Sequence, residues 1–451
     1  MSTTTLPEKV EREILLRLDD VPTLFRCAAA CKRWRRLVAA PSFLQQRRWP
    51  RSLLVGYFTR RCRVSMFPGT SPTAGCNSQL TFVPLPGPSL LGCTSRRPLS
   101  SFVVPADGDD AAAAVVDRSV PLATRDGLLL VRLYPSDDDL EPDVVRLAVC
   151  NPLAGTWEVL PELDCDSRFG PSDGYGRDII PSIAGDDDGP AYRVLLIGAD
   201  KHKSQYNLHA FAAGDASWSA PVMCFDMMDR QIWSMEKSKA VVCGGHAHWL
   251  FVSRSHHFHI LNVDINTGHV SLTRLLLPTQ EEFLPKDLID SLKRGGGATL
   301  REIIKRRLSD LACFDRLATT SDGARLSLLV YRGGRLEVWT EQQIDGDGQR
   351  KLGGEAKWLY TREIDHKLTE LLQQLDRPSC FWLGKKGDTA LVRSEEERIY
   401  IAYLDTAALQ DVTQHFHDLP RGMILPMEID WPTFFMLRLG SLSVEFCFAK
   451  E

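Results

Sequence analysis

The apolar positions of the first fifty residues recur at helical spacing. Val10, Ile14, Leu15 and Leu18 fall at i, i+4, i+5 and i+8 and form one stripe, with Lys9, Glu11, Arg12, Glu13 and Arg17 on the other side. Thr5 and Glu8 have the spacing of a capping box, and Pro7 suits a first helical turn, where its missing N–H costs nothing. Asp19-Asp20 and Pro22 punctuate this helix and open another. There Leu24, Cys27, Ala28 and Cys31 recur at i, i+3, i+4 and i+7, and Trp34 and Leu37 extend the stripe. Pro41 interrupts, and Phe43 and Leu44 begin a last short helix before Pro50. Three helices this short bury little apolar surface on their own, so the block predicts a partner. The side carrying Pro7, Ile14 and Leu15 and the side carrying Phe25 and Trp34 cannot both be buried internally.

From residue 51 the helical period gives way to short β-rich runs broken by Gly, Pro and Asp. Predicted strands are Leu53–Phe58, Gly127–Leu133, Val144–Cys150, Trp157–Leu160, Tyr192–Ile197, Leu208–Phe211, Ala240–Cys243, His248–Val252, His259–Val263 and Val270–Leu272. Leu326–Tyr331, Leu336–Trp339, Trp358–Ile364, Thr389–Val392 and Ile399–Leu404 follow. Landmark turns near 154, 214, 267, 333 and 405 lie roughly 50–70 residues apart. Repeated strand–turn–strand units of about this size suggest propeller blades, which also solve the problem of exposed strand edges. Glu281–Leu317 breaks the pattern with Leu284, Leu288, Leu292, Leu300, Ile303, Ile304, Leu308 and Leu311, and reads as a helical insertion. The predicted fold class is α+β multidomain. A small three-helix domain (1–50) precedes a mainly antiparallel β domain (51–451) of propeller type.

Composition changes this picture in two ways. The chain has 451 residues, 44% hydrophobic and 25% charged, too long for one ordinary core. Its net charge of −4 divides into +5 over residues 1–50 and −9 over the rest, which suggests two modules with different partners. The 12 cysteines form no C-x-x-C pair, no signal peptide is recognisable, and no run of 18 apolar residues predicts a membrane span. Reduced thiols in the cytosol or nucleus are the expectation.

The helical block carries a family resemblance. Leu6-Pro7-Glu8, Ile14-Leu15-Leu16-Arg17-Leu18, Leu24-Phe25-Arg26-Cys27 and Cys31-Lys32-Arg33-Trp34-Arg35-Arg36-Leu37 resemble an F-box, and Pro41-Ser42-Phe43-Leu44 resembles its usual tail in plants. Ala30 and Asp19-Asp20 depart from the usual residues at their positions. The resemblance implies docking on a Skp-type adaptor, and through it on a cullin scaffold, as the substrate receptor of a ubiquitin ligase. Carried across by position, the adaptor contacts are Leu6, Pro7, Ile14, Leu15, Leu18, Leu24, Phe25, Ala28, Cys31 and Trp34. The physical logic is an apolar helical face meeting a partner groove, with aromatic side chains as hot spots. Arg125-Asp126-Gly127-Leu128-Leu129, Cys150-Asn151-Pro152-Leu153-Ala154-Gly155-Thr156-Trp157, Leu208-His209-Ala210-Phe211 and His248-Trp249-Leu250 resemble the F-box-associated, kelch-like propeller region of plant receptor families. That region would capture a target protein.

Candidate chemistry adds little. Cys243, His246, His248, His256, His257 and His259 cluster in sequence, but strand alternation sends Cys243 away from His246 and His248, so His248 reads as a packing or hydrogen-bonding residue rather than a zinc ligand. The acidic runs at Asp107/Asp109/Asp110, Asp137–Asp139 and Asp186–Asp188 lack EF-hand spacing, and Gly174-Tyr175-Gly176 lacks the third glycine of a dinucleotide fingerprint. The basic run Lys32, Arg33, Arg35, Arg36, Arg47 and Arg48 reads as a solvated helix face rather than a nucleic-acid patch. The expectation is a non-catalytic receptor with no cofactor, metal, nucleic-acid or membrane partner. Two rivals remain open at this stage: a propeller enzyme capped by the helices, and an adaptor-bound scaffold without a degradation role.

Overall fold

The computed structural model describes residues 6–18, 21–46, 54–60, 79–85, 95–103, 110–133, 144–152, 155–164, 177–181, 192–200, 205–226, 232–234, 240–253, 258–276, 316–319, 325–332, 335–341, 356–363, 379–384, 389–394, 396, 398–404, 406–416, 423–429 and 435. Two compact units emerge, Met1–Leu163 with Leu419–Glu451, and Asp164–Asp418.

The first unit opens with four helices, α1 (Glu8–Leu16), α2 (Val21–Ala30), α3 (Lys32–Ala39) and α4 (Pro41–Gln46). The predicted second helix is thus two. Cys31 leaves the helix with extended backbone, φ −153° and ψ 153°, and its sulfur accepts the Trp34 amide at 3.4 Å as the N-cap of α3. Pro7 occupies the N-cap of α1 and offers no side-chain acceptor; Thr5, its predicted capping partner, lies outside the described residues.

The strands β1 (Leu54–Arg60), β2 (Thr81–Pro84) and β3 (Arg97–Pro98) form an antiparallel meander, followed by the helix α5 (Asp110–Arg118). A second sheet holds β4 (Val120–Arg125), β5 (Leu128–Arg132), β7 (Leu147–Asn151) and β8 (Thr156–Val159), and a two-stranded ribbon pairs β6 (Val144–Val145) with β9 (Leu163–Asp164). Asp126 and Gly127 join β4 to β5 with φ of 49° and 87°. Two successive positive φ values make the primed turn whose twist matches a hairpin, which is why Asp-Gly stands here.

The second unit continues with β10 (Arg177–Pro181), β11 (Tyr192–Asp200), β12 (Gln205–Ala212) and β13 (Val222–Asp226) in one antiparallel sheet. A nine-stranded sheet follows. It joins β14 (Ile232–Ser234), β15 (Val241–Cys243), β16 (His246–Ser253), β17 (Phe258–Asp264) and β18 (Val270–Leu276) to β19 (Arg316–Thr319), β20 (Leu326–Arg332), β21 (Arg335–Glu341) and β22 (Ala356–Glu363). These are two antiparallel meanders linked by a short parallel pairing at Leu275 with Ala356 and Leu276 with Lys357. The last sheet of this unit holds β23 (Ser379–Leu383), β24 (Thr389–Arg393), β25 (Ile399–Tyr403) and β26 (Ala408–Asp411).

The chain then returns to the first unit. Strand β27 (Met423–Glu428) pairs antiparallel with β1, so the first sheet has the order β27-β1-β2-β3. The Thr124 hydroxyl donates to the Pro426 carbonyl, and the Gly127 amide donates to the Glu428 carbonyl at 3.2 Å. Among the described residues, therefore, a short helical region precedes a mostly antiparallel β domain of propeller type, in five sheets of four or more strands. The helical insertion predicted over 281–317 lies outside the described residues apart from Arg316 and Leu317, which are strand rather than helix.

One apolar cluster runs through the first unit. Leu15, Leu24, Ala28, Val38, Phe43 and Leu44 from the helices join Val55, Phe58, Leu80 and Phe82 of the first sheet and its approach. Val116 of α5, Leu129, Val131, Ala148 and Cys150 of the second sheet, and Met427, Ile429 and Phe435 near the chain's end complete it. The Phe82 ring packs against Phe58 at 5.2 Å, tilted by 57°, and meets Phe102 edge-on at 5.6 Å. Burial without an ionic partner pushes the Cys150 thiol up to about 12, so it is a packing group and no nucleophile.

Candidate functional site

The structure separates the ten sequence-predicted docking residues into two sets. Leu15, Leu24 and Ala28 are fully buried in the shared cluster, and Leu18 and Trp34 are half-buried against it. Leu6, Pro7, Ile14 and Cys31 are exposed. The Phe25 side chain lies outside the described residues.

Ile14 and Leu15 are adjacent in sequence and opposite in environment. Helical geometry places residues four apart in one row and next-door residues about 100° around the axis. Val10 and Ile14 therefore form an outward row, exposed by 40 and 43%, which Leu6, 50% exposed just before the N-cap, continues, while Glu11 and Leu15 form an inward row beside it. Leu6, Val10 and Ile14 are three of only six large hydrophobic side chains that stand exposed among the described residues. Two such groups on α1 and a third just before its N-cap concentrate apolar surface in a way that scattered single exposures do not. Sequence spacing alone merges these two rows, and Val10 joins the face only once the inward row is known.

Charged residues fix the helix that carries this row. Glu11, expected on the solvent side, turns inward, and its Oε2 lies 2.8 Å from Arg33 Nε of α3. Arg33 Nη2 donates to the Leu6 backbone carbonyl at 2.7 Å. Arg12 Nη2 donates to Ser42 Oγ and Gln46 Oε1 of α4, both at 3.1 Å, and Arg17 pairs with Glu13 at 2.6 Å on the surface. On the basic face of α3, Lys32, Arg33 and Arg36 are all exposed, and Arg33 is in addition a structural cross-link. Arg47 and Arg48 lie outside the described residues.

The histidine cluster does not converge. His248 is buried between strands, with Nδ1 2.7 Å from Asn262 Oδ1 and Nε2 3.3 Å from the Cys243 carbonyl. Asn262 Nδ2 donates onward to Thr273 Oγ1 at 3.0 Å. His246 sits 3.7 Å from Asp264 and contacts the Gly244 carbonyl through Nδ1 at 2.9 Å. Among the described residues no group of three His, Cys, Asp or Glu side chains is placed to hold a metal ion; His256 and His257 lie outside them. Burial lowers the pKa of His209 and pushes Cys224 up to about 12, so both are held in their neutral forms. Asp110 begins α5, whereas Asp107, Asp109, Asp137–Asp139, Asp186–Asp188 and 174–176 lie outside the described residues. No helix of the described residues is long and apolar enough to cross a membrane.

The comparisons agree with the helical block. Residues 3–48 match the F-box-like family. No curated protein matches the chain. Among solved structures it is similar to a functionally unknown protein from Desulfotomaculum acetoxidans, at 11% identity and TM-score 0.33 over 65% of this chain and 68% of that one. The α-L-arabinofuranosidase of Fusarium graminearum in complex with arabinobiose is similar at 12% identity and TM-score 0.31, over 65 and 79% of the two chains. The Dos1 propeller is similar at 11% identity and TM-score 0.28, over 65 and 59%. Likenesses this distant assign neither activity nor ligand.

Proposed function

We propose that this chain is the substrate-recognition subunit of an SCF-type cullin ubiquitin ligase. Residues 1–50 dock on a Skp-type adaptor, which joins the chain to the cullin, and the kelch-like β domain of 51–451 captures a target protein. The observation that carries this reading is the exposed Leu6–Val10–Ile14 row on and just before α1, inside the segment that matches the F-box-like family. An apolar helical row of this kind is what a partner groove recognises. Pro7, Cys31 and the exposed edge of Trp34 extend the face; Leu15, Leu24 and Ala28 support it from the core. The chain supplies no nucleophile. It acts in the cytosol or nucleus by holding target lysines near a charged conjugating enzyme, which raises their effective concentration.

Deleting residues 1–50 is a poor test, because six buried side chains of the shared cluster leave with them. Point changes on the outward row avoid this. Purified chain is mixed with purified Skp-type adaptor and passed over a sizing column. Wild type co-elutes with the adaptor, and Val10→Asp/Ile14→Asp elutes alone with an unchanged circular dichroism spectrum. Wild type that elutes apart from the adaptor refutes the proposal.

A further inference from the structure

We infer that Arg33 is a positioning residue for the docking face: it clamps the first residue of the outward row so that Leu6 is presented before the partner arrives. The inference rests on the adaptor-docking reading. Leu6 stands one residue before the N-cap Pro7, outside the helical hydrogen bonds of α1, whose first amides, Val10 and Glu11, return to the Pro7 carbonyl at 2.9 and 3.2 Å. Nothing in α1 itself thus fixes the Leu6 backbone. Arg33 does so with one prong, Nη2 on the Leu6 carbonyl at 2.7 Å, while its Nε lies 2.8 Å from the Glu11 carboxylate.

The two prongs have different environments. Glu11 is nearly covered and Arg33 is partly exposed, with relative side-chain exposures of 9 and 42%. The ion pair therefore lies at the edge of the core, and from it Nη2 reaches the Leu6 carbonyl just before the start of α1. A planar fork with several fixed donors can serve both acceptors at once; a lysine ammonium on a flexible stem is a single point of charge and serves one. Leu6 is half exposed, so its side chain faces outward while its backbone is tied inward. Binding then orders less of the chain, which is how pre-organisation strengthens an interface.

The test is a double-mutant cycle on adaptor affinity with the full chain. Arg33→Lys keeps a cation for Glu11 and releases Leu6. Its melting temperature stays close to wild type, and its Kd for the Skp-type adaptor rises by about five- to tenfold. In the Leu6→Ala background the same Arg33→Lys change alters Kd less than twofold, because the side chain it presents has gone. A purely structural arginine would weaken binding by the same factor in both backgrounds, and that additive result overturns the inference. An unchanged Kd for Arg33→Lys overturns it too. Either failure is distinct from failure of the docking reading, in which wild type itself does not bind.

Discussion

Replacing Ile14 and Leu15 separately by alanine gives neighbouring variants with opposite defects. Leu15 is fully buried in the cluster that joins the helices to the first two sheets. Truncating such a leucine costs about 2–5 kcal/mol in transfer and cavity terms. In a unit of roughly 200 residues, a loss of about 3 kcal/mol lowers the melting temperature by roughly 6–12 °C. Ile14 is 43% exposed, and alanine is the better helix former by a few tenths of a kcal/mol, so Ile14→Ala changes stability by less than about 1 kcal/mol. Adaptor affinity behaves in the reverse way. Fully burying an isoleucine is worth about 1.5–3 kcal/mol, so covering the exposed 43% of Ile14 supplies about 0.6–1.3 kcal/mol, a three- to ninefold change in Kd. Extended to Leu6, Val10 and Ile14 together, the uncovered area equals about 1.3 whole side chains, or roughly 2–4 kcal/mol and 30- to 900-fold. Thermal melts followed by fluorescence and surface-binding titrations with purified adaptor separate the two effects. The reasoning fails if Ile14→Ala melts as low as Leu15→Ala, or if Leu15→Ala weakens binding while melting like wild type.

Gly56→Ala destabilises the first sheet by about 1–3 kcal/mol, since a methyl group at Gly56 would press on the Phe82 ring and lie 2.5 Å from the Val83 carbonyl oxygen; urea denaturation measures the loss. Asp264 accepts the Thr267 and Asn266 amides at 2.8 and 2.9 Å in the turn between β17 and β18, and the Thr267 amide is the first cause of its lowered pKa. A carboxylate whose pKa falls on folding stabilises above its unfolded value of about 3.9 and loses that contribution as pH drops through the folded value, so Asp264→Asn melts lower than wild type at pH 7 and the gap closes in acid below both values.

The helical block was legible because its anchors are local. Amphipathic spacing and proline punctuation mark three helical stretches, and only the break between α2 and α3 at Cys31 escapes them. The division of labour between Ile14 and Leu15 was not legible, since both belong to one broad apolar stripe and only the packing partner decides which turns in. Glu11 illustrates the same limit: a charged residue reads as solvent-facing until an arginine 22 positions later is folded against it. Cys31 reads as one more apolar position, and its role as a cap depends on backbone geometry that spacing does not encode. In the β domain every predicted strand has a counterpart, with ends displaced by a few residues. The strands that escaped, such as β4 and β27, carry Pro121 and Pro426 and stand at the edges of their sheets, where a missing amide is tolerated. Proline in a short run argues against a strand when the run is read alone.

The pairing of β27 with β1 also sets a timetable. About 360 residues separate Arg60 from Met423, and at about 5–20 residues per second their synthesis takes roughly 20–70 s. Throughout that interval the β27-facing edge of β1 waits with its backbone N–H and C=O groups unpaired, beside helices whose inner faces pack into the same cluster as β1. Among the described sheets, the one that β1 begins is therefore the last to be completed, and its exposure to misassembly ends only when β27 arrives.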